Sequence, residues 1–183
     1  MANLKQTFEK ETVKKVQEKL GLKNVMAVPR LKKIVVNAST KDYLVDKKNI
    51  ERAREDLALI TGQKPKTAKA RISVSTFKLR EGDQIGLVVT LRGNRMYDFF
   101  EKLVTIVFPR VRDFNGVDHK AFDGRGNLSI GFTENTVFAE IDPGKVEKIR
   151  SLQITLVTNA HDDKKAKVLF EEMGVRFKKG VSL

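Results

Sequence analysis

The 183-residue chain has no cysteine and no tryptophan, two tyrosines, two histidines and four prolines. Without cysteine there is no disulfide, no Cys-ligated zinc and no thiol nucleophile. The two histidines, His119 and His161, lie far apart and lack an evident third partner for metal or acid–base chemistry. Both read as surface or capping residues. No apolar run approaches membrane-spanning length, and the N-terminal stretch MANLKQTFEKE lacks the apolar core of a secretory signal. Glu9, Glu11 and Glu18 weaken the case for that basic segment lying on a membrane. A soluble cytoplasmic protein with no membrane partner is expected.

Residues 62–80 lack something else: acid. Lys64, Lys66, Lys69, Arg71, Lys78 and Arg80 stand there with no Asp or Glu, interleaved with Thr67, Ser73, Ser75 and Thr76. Cations with hydroxyls between them suit phosphate oxygens, which take charge from the one and short hydrogen bonds from the other. A solvated basic loop is the plain alternative. The rest of the composition favours a polyanion. The formal charge is +13, and residues 1–92 hold 21 Lys and Arg against 10 Asp and Glu, whereas residues 93–183 hold 15 against 13. A protein with one RNA-facing side accounts for that split.

The chain is 40% hydrophobic, enough for a real core, and has no repeat or low-complexity tract. One α+β domain over 1–183 is the economical reading: an antiparallel sheet with helices packed on one face, and an open polar and basic face for RNA. Leu4, Phe8, Val13, Val16 and Leu20 recur at helical spacing, with Gly21 as the stop and Lys14 turned outward. Residues 31–38 read as a strand with Ile34, Val36 and Ala38 on one side, Lys33, Val35 and Asn37 on the other. Asp46 is the expected cap of a second helix whose stripe is Ile50, Ala53, Leu57 and Ile60, closed by Gly62. A short strand over 64–70 leads into a basic loop at about 70–84, expected to be mobile while its like charges lack phosphates. In the next strand Leu87, Val89 and Leu91 point inward, and Val88, Thr90 and Arg92 outward. Asn94 is expected to cap a third helix carrying Met96, Phe99, Phe100, Leu103, Val107 and Phe108, and Pro109 to end it. A long irregular loop at about 110–126 follows, and connections of that length are usually functional or mobile. Strands are expected over 128–132, 136–141 and 153–159. A last helix starts at Asp162 or Asp163, carries Ala166, Leu169, Phe170 and Met173, and ends at Gly174.

The polar sides of these two strands therefore carry Lys33, Asn37, Thr90 and Arg92, and no Phe or Tyr, and line one open surface if the strands share a sheet. An open sheet face is a common RNA platform, but without aromatics it works through backbone shape, phosphates and ribose hydroxyls rather than stacked bases. A half-exposed antiparallel sheet with no ligand is the plain alternative.

Several strings in register then match a known family: KNVMAVPRLKKIVVN (23–37), ITGQKPK (60–66), FKLREG (77–82), TLRGNRMYDF (90–99), PRVRDFNGV (109–117) and FDGRGN (122–127). Over nearly the whole chain they resemble the bacterial large-subunit ribosomal protein that binds 5S rRNA, the family numbered five in that subunit. The resemblance implies a non-catalytic protein that anchors 5S rRNA in the central protuberance, with large-subunit rRNA as a further partner. It implies that Asn37, Gln63 and Thr90 touch 5S rRNA; Lys33 and Arg92 are added from the strand-face argument, and Lys14 from the first helix. The basic loop resembles the family's long hairpin tip, which reaches peptidyl-site tRNA, so Arg71, Phe77, Lys78 and Arg80 are the expected contacts. Residues 110–126 resemble the side that meets a small-subunit head protein in an intersubunit bridge, with Arg112, Asp113, Phe114 and Asn115 as candidates.

The chain departs from the family where many members have a basic residue at Ile72, a small one at Thr76, Arg at Asn115 and Pro at Ala139. A Thr of the second strand is Ala68 here, with Thr67 one residue away. A shift of one along a strand reverses the face, so no RNA contact is carried onto Thr67.

The alternative from another class is an RNA-processing enzyme or RNA chaperone using the same basic face. A nuclease site would need carboxylates converging on Mg²⁺, and Asp113, Asp118, Asp123 and Glu134 are the candidates. Gly124-Arg125-Gly126 fits neither a Walker loop nor a dinucleotide fingerprint. No metal, cofactor or small-molecule substrate is expected.

Overall fold

Apolar periodicity and glycine stops set the helices. The computed structural model describes residues 11–39, 47–144 and 148–178; Leu4, Phe8 and Asp46 lie outside them. Helix α1 (Val13–Leu20) buries Val13 and Val16. At its end Gly21 takes φ 61°, and the N–H groups of Gly21 and Leu22 close onto Glu18 and Gln17 at 3.2 and 3.1 Å. A side chain disfavours that left-handed turn, so glycine is the natural stop. Strand β1 (Leu31–Ser39) is followed by α2 (Lys47–Thr61), whose Ile50, Ala53, Leu57 and Ile60 are buried as the stripe requires. Then come β2 (Lys66–Lys69), β3 (Gln84–Leu91), α3 (Asn94–Lys102), β4 (Leu128–Phe132), β5 (Leu152–Thr158) and α4 (Asp163–Glu172). The last helix is capped by Asp162, whose carboxylate accepts the Lys164 N–H at 3.1 Å.

The strands form one antiparallel five-stranded sheet in the order β2-β3-β1-β5-β4. The chain condenses into two compact units. One takes the described residues within 1–34, 91–130 and 155–183, the other those within 35–90 and 131–154. In the first, Leu91, Phe100, Leu103, Leu128, Leu156, Leu169 and Phe170 are buried; in the second, Val36, Leu57, Ile60, Leu87, Phe138 and Ile154 are. Each such side chain contributes about 1.5–3 kcal/mol through burial.

Several details differ from the sequence expectation. Residues 136–141 form no strand: Asn135–Val137 is a 3₁₀ turn, and Phe138 and Ile141 close two successive turns at 3.2 Å each. Their buried apolar residues, Phe138 and Ile141, are three apart, a turn spacing rather than an alternation. Gly93, at φ 62°, occupies the cap position of α3, and Asn94 is its first helical residue. Pro109 does not end that helix. The chain widens into a π-helical stretch, Leu103–Val107, and continues through Phe108–Arg110. Widening there accommodates a residue with no N–H to donate, and the helix stops at Val111, whose ψ is 126°. His119 is buried, not superficial, and stacks on Phe177 at 5.4 Å.

Candidate nucleic-acid interface

Alternation decides what each strand offers. On β1 Leu31, Ile34, Val36 and Ala38 are buried, and from residue 33 onward the alternation leaves Lys33, Val35 and Asn37 half-buried and Ser39 exposed on the other side. On β3 Leu87, Val89 and Leu91 are buried, leaving Val88 and Thr90 half-buried and Arg92 exposed just past its end. In the second unit this sets Asn37 and Thr90 on neighbouring strands, both on the side away from the core. Gln63 joins them: its amide Nε2 donates to the Thr90 carbonyl at 3.4 Å. In the first unit Lys33 is half-buried on β1 and Arg92 is exposed past the end of β3. Lys14 is exposed on α1, a helix, so the strand-face argument does not reach it.

The β2–β3 register adds a cation that strand parity alone does not place. Lys66 pairs with Val88 and Thr67 with Leu87, so Lys66 shares the Val88 side and Thr67 the core side. Thr67 accepts a 2.9 Å hydrogen bond from Arg54 Nη2 on α2. It is a structural residue, as the one-residue shift implies. Alternation on β5 also turns Gln153, Thr155 and Val157 away from the core, and Thr155 shares a 3.0 Å hydroxyl contact with Ser129 of β4. The alternation of residues 152–158 is the signal in the sequence that points to these polar positions.

The acid-free segment supplies β2 and the tip of the β2–β3 hairpin. Ala70 and Asp83 close its base through Ala70 N–H to Asp83 O at 2.8 Å and Gly82 N–H to Ala70 O at 3.0 Å. Val74 and Leu79 pair at 2.9 and 3.1 Å around a 3₁₀ turn, Ser75–Phe77. Lys78 then takes the left-handed conformation, φ 52°. Arg71, Lys78 and Arg80 are exposed, as are Ile72 (73%) and Phe77 (59%), so the tip offers apolar as well as cationic surface.

Residues 110–126 are held by bonds within the loop and by bonds to the elements around it. Phe114 stacks on Phe108 at 4.8 Å with rings 10° apart, while Arg112, Asp113 and Asn115 remain exposed. Val117 pairs with Phe177 in a parallel bridge, its N–H donating to Arg176 O at 2.8 Å and its carbonyl accepting from Lys178 N–H at 3.1 Å. Asp118 caps the next turn through the Lys120 N–H at 3.0 Å, a bond that holds its carboxyl below the usual range. Asp123 accepts from Arg125 N–H (2.8 Å), Asn127 N–H (3.0 Å) and Asn127 Nδ2 (2.6 Å). Burial pushes its pKa up, but these bonds outweigh burial and hold it below the ordinary value. Asp163 braces the same loop through the N–H groups of Gly124 and Gly126 at 3.0 and 2.7 Å. Asp118 is thus committed to a backbone N–H and Asp123 to backbone N–H groups and the Asn127 amide, and no three His, Asp or Glu among the described residues converge as a metal site.

Two family models match the chain. One, described as ribosomal protein L5, covers residues 24–80; the other, described as the C-terminus of the same ribosomal family, covers 84–177. The large ribosomal subunit protein uL5 of Syntrophomonas wolfei is 47% identical over 178 residues, 97% of this chain and 100% of the relative. The proteins of that name from Anaeromyxobacter sp. strain K and Acidobacterium capsulatum are each 48% identical over 177 residues, 97% of this chain and 98% and 97% of the relatives.

Proposed function

The chain belongs to the ribosomal protein L5 family, and from that premise we propose that it attaches 5S rRNA in the central protuberance of the large ribosomal subunit. It is a structural, non-enzymatic component of the ribosome and binds rRNA. The observation carrying the 5S reading is the placement of Asn37 and Thr90 on neighbouring strands, each on the side away from the core, with Gln63 bonded to the Thr90 carbonyl. These are neutral donors and acceptors suited to ribose hydroxyls and base edges, and Lys33, Arg92 and Lys66 supply phosphate contacts. Lys14 is a peripheral contact of the same kind. The β2–β3 hairpin contacts peptidyl-site tRNA through Arg71, Lys78 and Arg80, with Phe77 packing on the tRNA backbone. Arg112, Asp113 and Asn115 meet a small-subunit head protein, while the stacking of Phe114 on Phe108 supports a bracing role for that ring.

The test is titration of the purified chain against 5S rRNA with tRNA as competitor, across a salt series. Tight 5S binding that survives excess tRNA, with a steep salt slope, is expected. Equal affinity for both RNAs would reduce the surface to a generic basic one.

A further inference from the structure

Among the described glycines, Gly131 is conspicuous because neither backbone nor packing asks for it. Gly21, Gly62, Gly82, Gly93, Gly116, Gly124, Gly126 and Gly174 all have positive φ. Gly86 and Gly144 have ordinary φ, and a Cβ there would lie in ordinary contact with Ala38 O and Asp142 Oδ1, each at 3.4 Å. Gly131 stands within β4 with ordinary φ, exposed, and a Cβ on it would meet nothing within 4 Å. Glycine weakens a strand interior, and such a position commonly marks the close approach of something external.

What lies above Gly131 indicates the chemistry. It is part of the floor of a groove of about 430 Å³ within the second unit, lined also by Asn37, Ser39, Thr133, Ser151 and Gln153. That volume falls in the range of about 300–1,000 Å³ usual for small-ligand sites. None of its lining residues is charged. A phosphate would find no cation here, whereas a base edge or ribose presents donors and acceptors together, as amides and hydroxyls do. Ser39 Oγ already donates to Ile85 O at 2.8 Å, which fixes the hydroxyl and leaves it an acceptor for an incoming group.

We propose that this groove seats one nucleotide of ribosomal RNA by its base and ribose edges, the missing side chain of Gly131 leaving the room for it. The inference rests on the rRNA-anchoring reading and adds the place where sequence is read.

The test uses the full chain, 5S rRNA and, as the second possible source of the nucleotide, the large rRNA of the same subunit. Gly131→Val fills the groove at a position where a β-branched residue suits a strand and has space, so the melting temperature should hold or rise. Affinity for the RNA supplying the nucleotide should fall roughly 10-fold, with an unchanged salt slope because no phosphate-binding cation is removed. Gln153→Leu, an exposed exchange, should lower affinity for the same RNA severalfold. Parent-like binding of both RNAs by Gly131→Val overturns the proposal, as does a loss accompanied by a shallower salt slope. If Gly131→Val melts lower, Gln153→Leu decides, and its parent-like binding overturns the groove. If the parent binds 5S rRNA no better than tRNA, 5S anchoring fails by itself and the groove stands or falls on the large rRNA. A parent that binds neither specifically overturns both.

Discussion

Thr67 and Thr90 carry the same side chain on the two strands of one hairpin and do opposite things. Thr67 faces α2 and accepts from Arg54, whereas Thr90 faces away from the core with Gln63 against its carbonyl. Their difference is parity along a strand, which the sequence records faithfully wherever one face is apolar. Asn37→Ala combined with Thr90→Ala should therefore weaken 5S rRNA binding by about 1–3 kcal/mol, the scale of leaving polar groups without partners at a desolvated interface. Thr67→Ala should leave binding within experimental error and cost about 1 kcal/mol of stability, because Arg54, whose Nε has no partner, then loses a bond that it has; titration and denaturant unfolding separate the two. Asp123 gives a pH signature. Its carboxyl titrates below the unfolded value, so its contribution is present at neutral pH and disappears as pH falls through the folded pKa. Asp123→Ala should melt below the parent at neutral pH and converge with it in acid below about pH 4, as melting curves across a pH series would show.

Elements were legible where one face is dry and the other wet. The stripe of α2 and the alternation of β1 and β3 appear in the structure as read, since burial enforces those periods. Residues 136–141 misled because six residues of mixed polarity fit an alternation by chance, while Asn135, buried and accepting the Arg150 N–H at 3.3 Å, anchors a turn instead. Pro109 misled because a local rule for proline does not foresee a π-helical stretch before it. The β2–β3 hairpin makes its prediction as a unit. Arg80→Ala should leave 5S affinity unchanged and lower retention of peptidyl-site tRNA on assembled ribosomes; a loss of 5S binding instead would assign the hairpin to the wrong RNA. Residues 110–126 make another. A Cβ on Gly116, at φ 108°, would sit 2.7 Å from the Phe177 backbone carbon. Gly116→Ala should cost about 1–3 kcal/mol in denaturant unfolding, by strain and by overpacking of the Val117–Phe177 bridge.

At the scale of the whole molecule, charge and core act separately. Residues 1–92 carry 21 basic against 10 acidic side chains, which gives long-range attraction for RNA but no choice among RNAs. Raising salt should accordingly weaken 5S rRNA and tRNA binding together, while the ratio between them, set by neutral contacts, changes less; parallel titrations at two salt concentrations measure it. Composition, charge asymmetry, the polar parity of β1 and β3 and the family strings were all determined by the sequence alone, because each is local or additive along the chain. The sequence also separated Thr67 from Thr90, through period two. Only the tertiary structure decided that Lys66 shares the side of Val88, that Gln63 reaches the Thr90 carbonyl and that Asp123 and Asp163 staple one loop. It alone placed Asn37 with Gly131 and Gln153 around one uncharged groove. Those residues are far apart in sequence and are brought together by strand order, which depends on how the buried faces close on one another rather than on any local pattern.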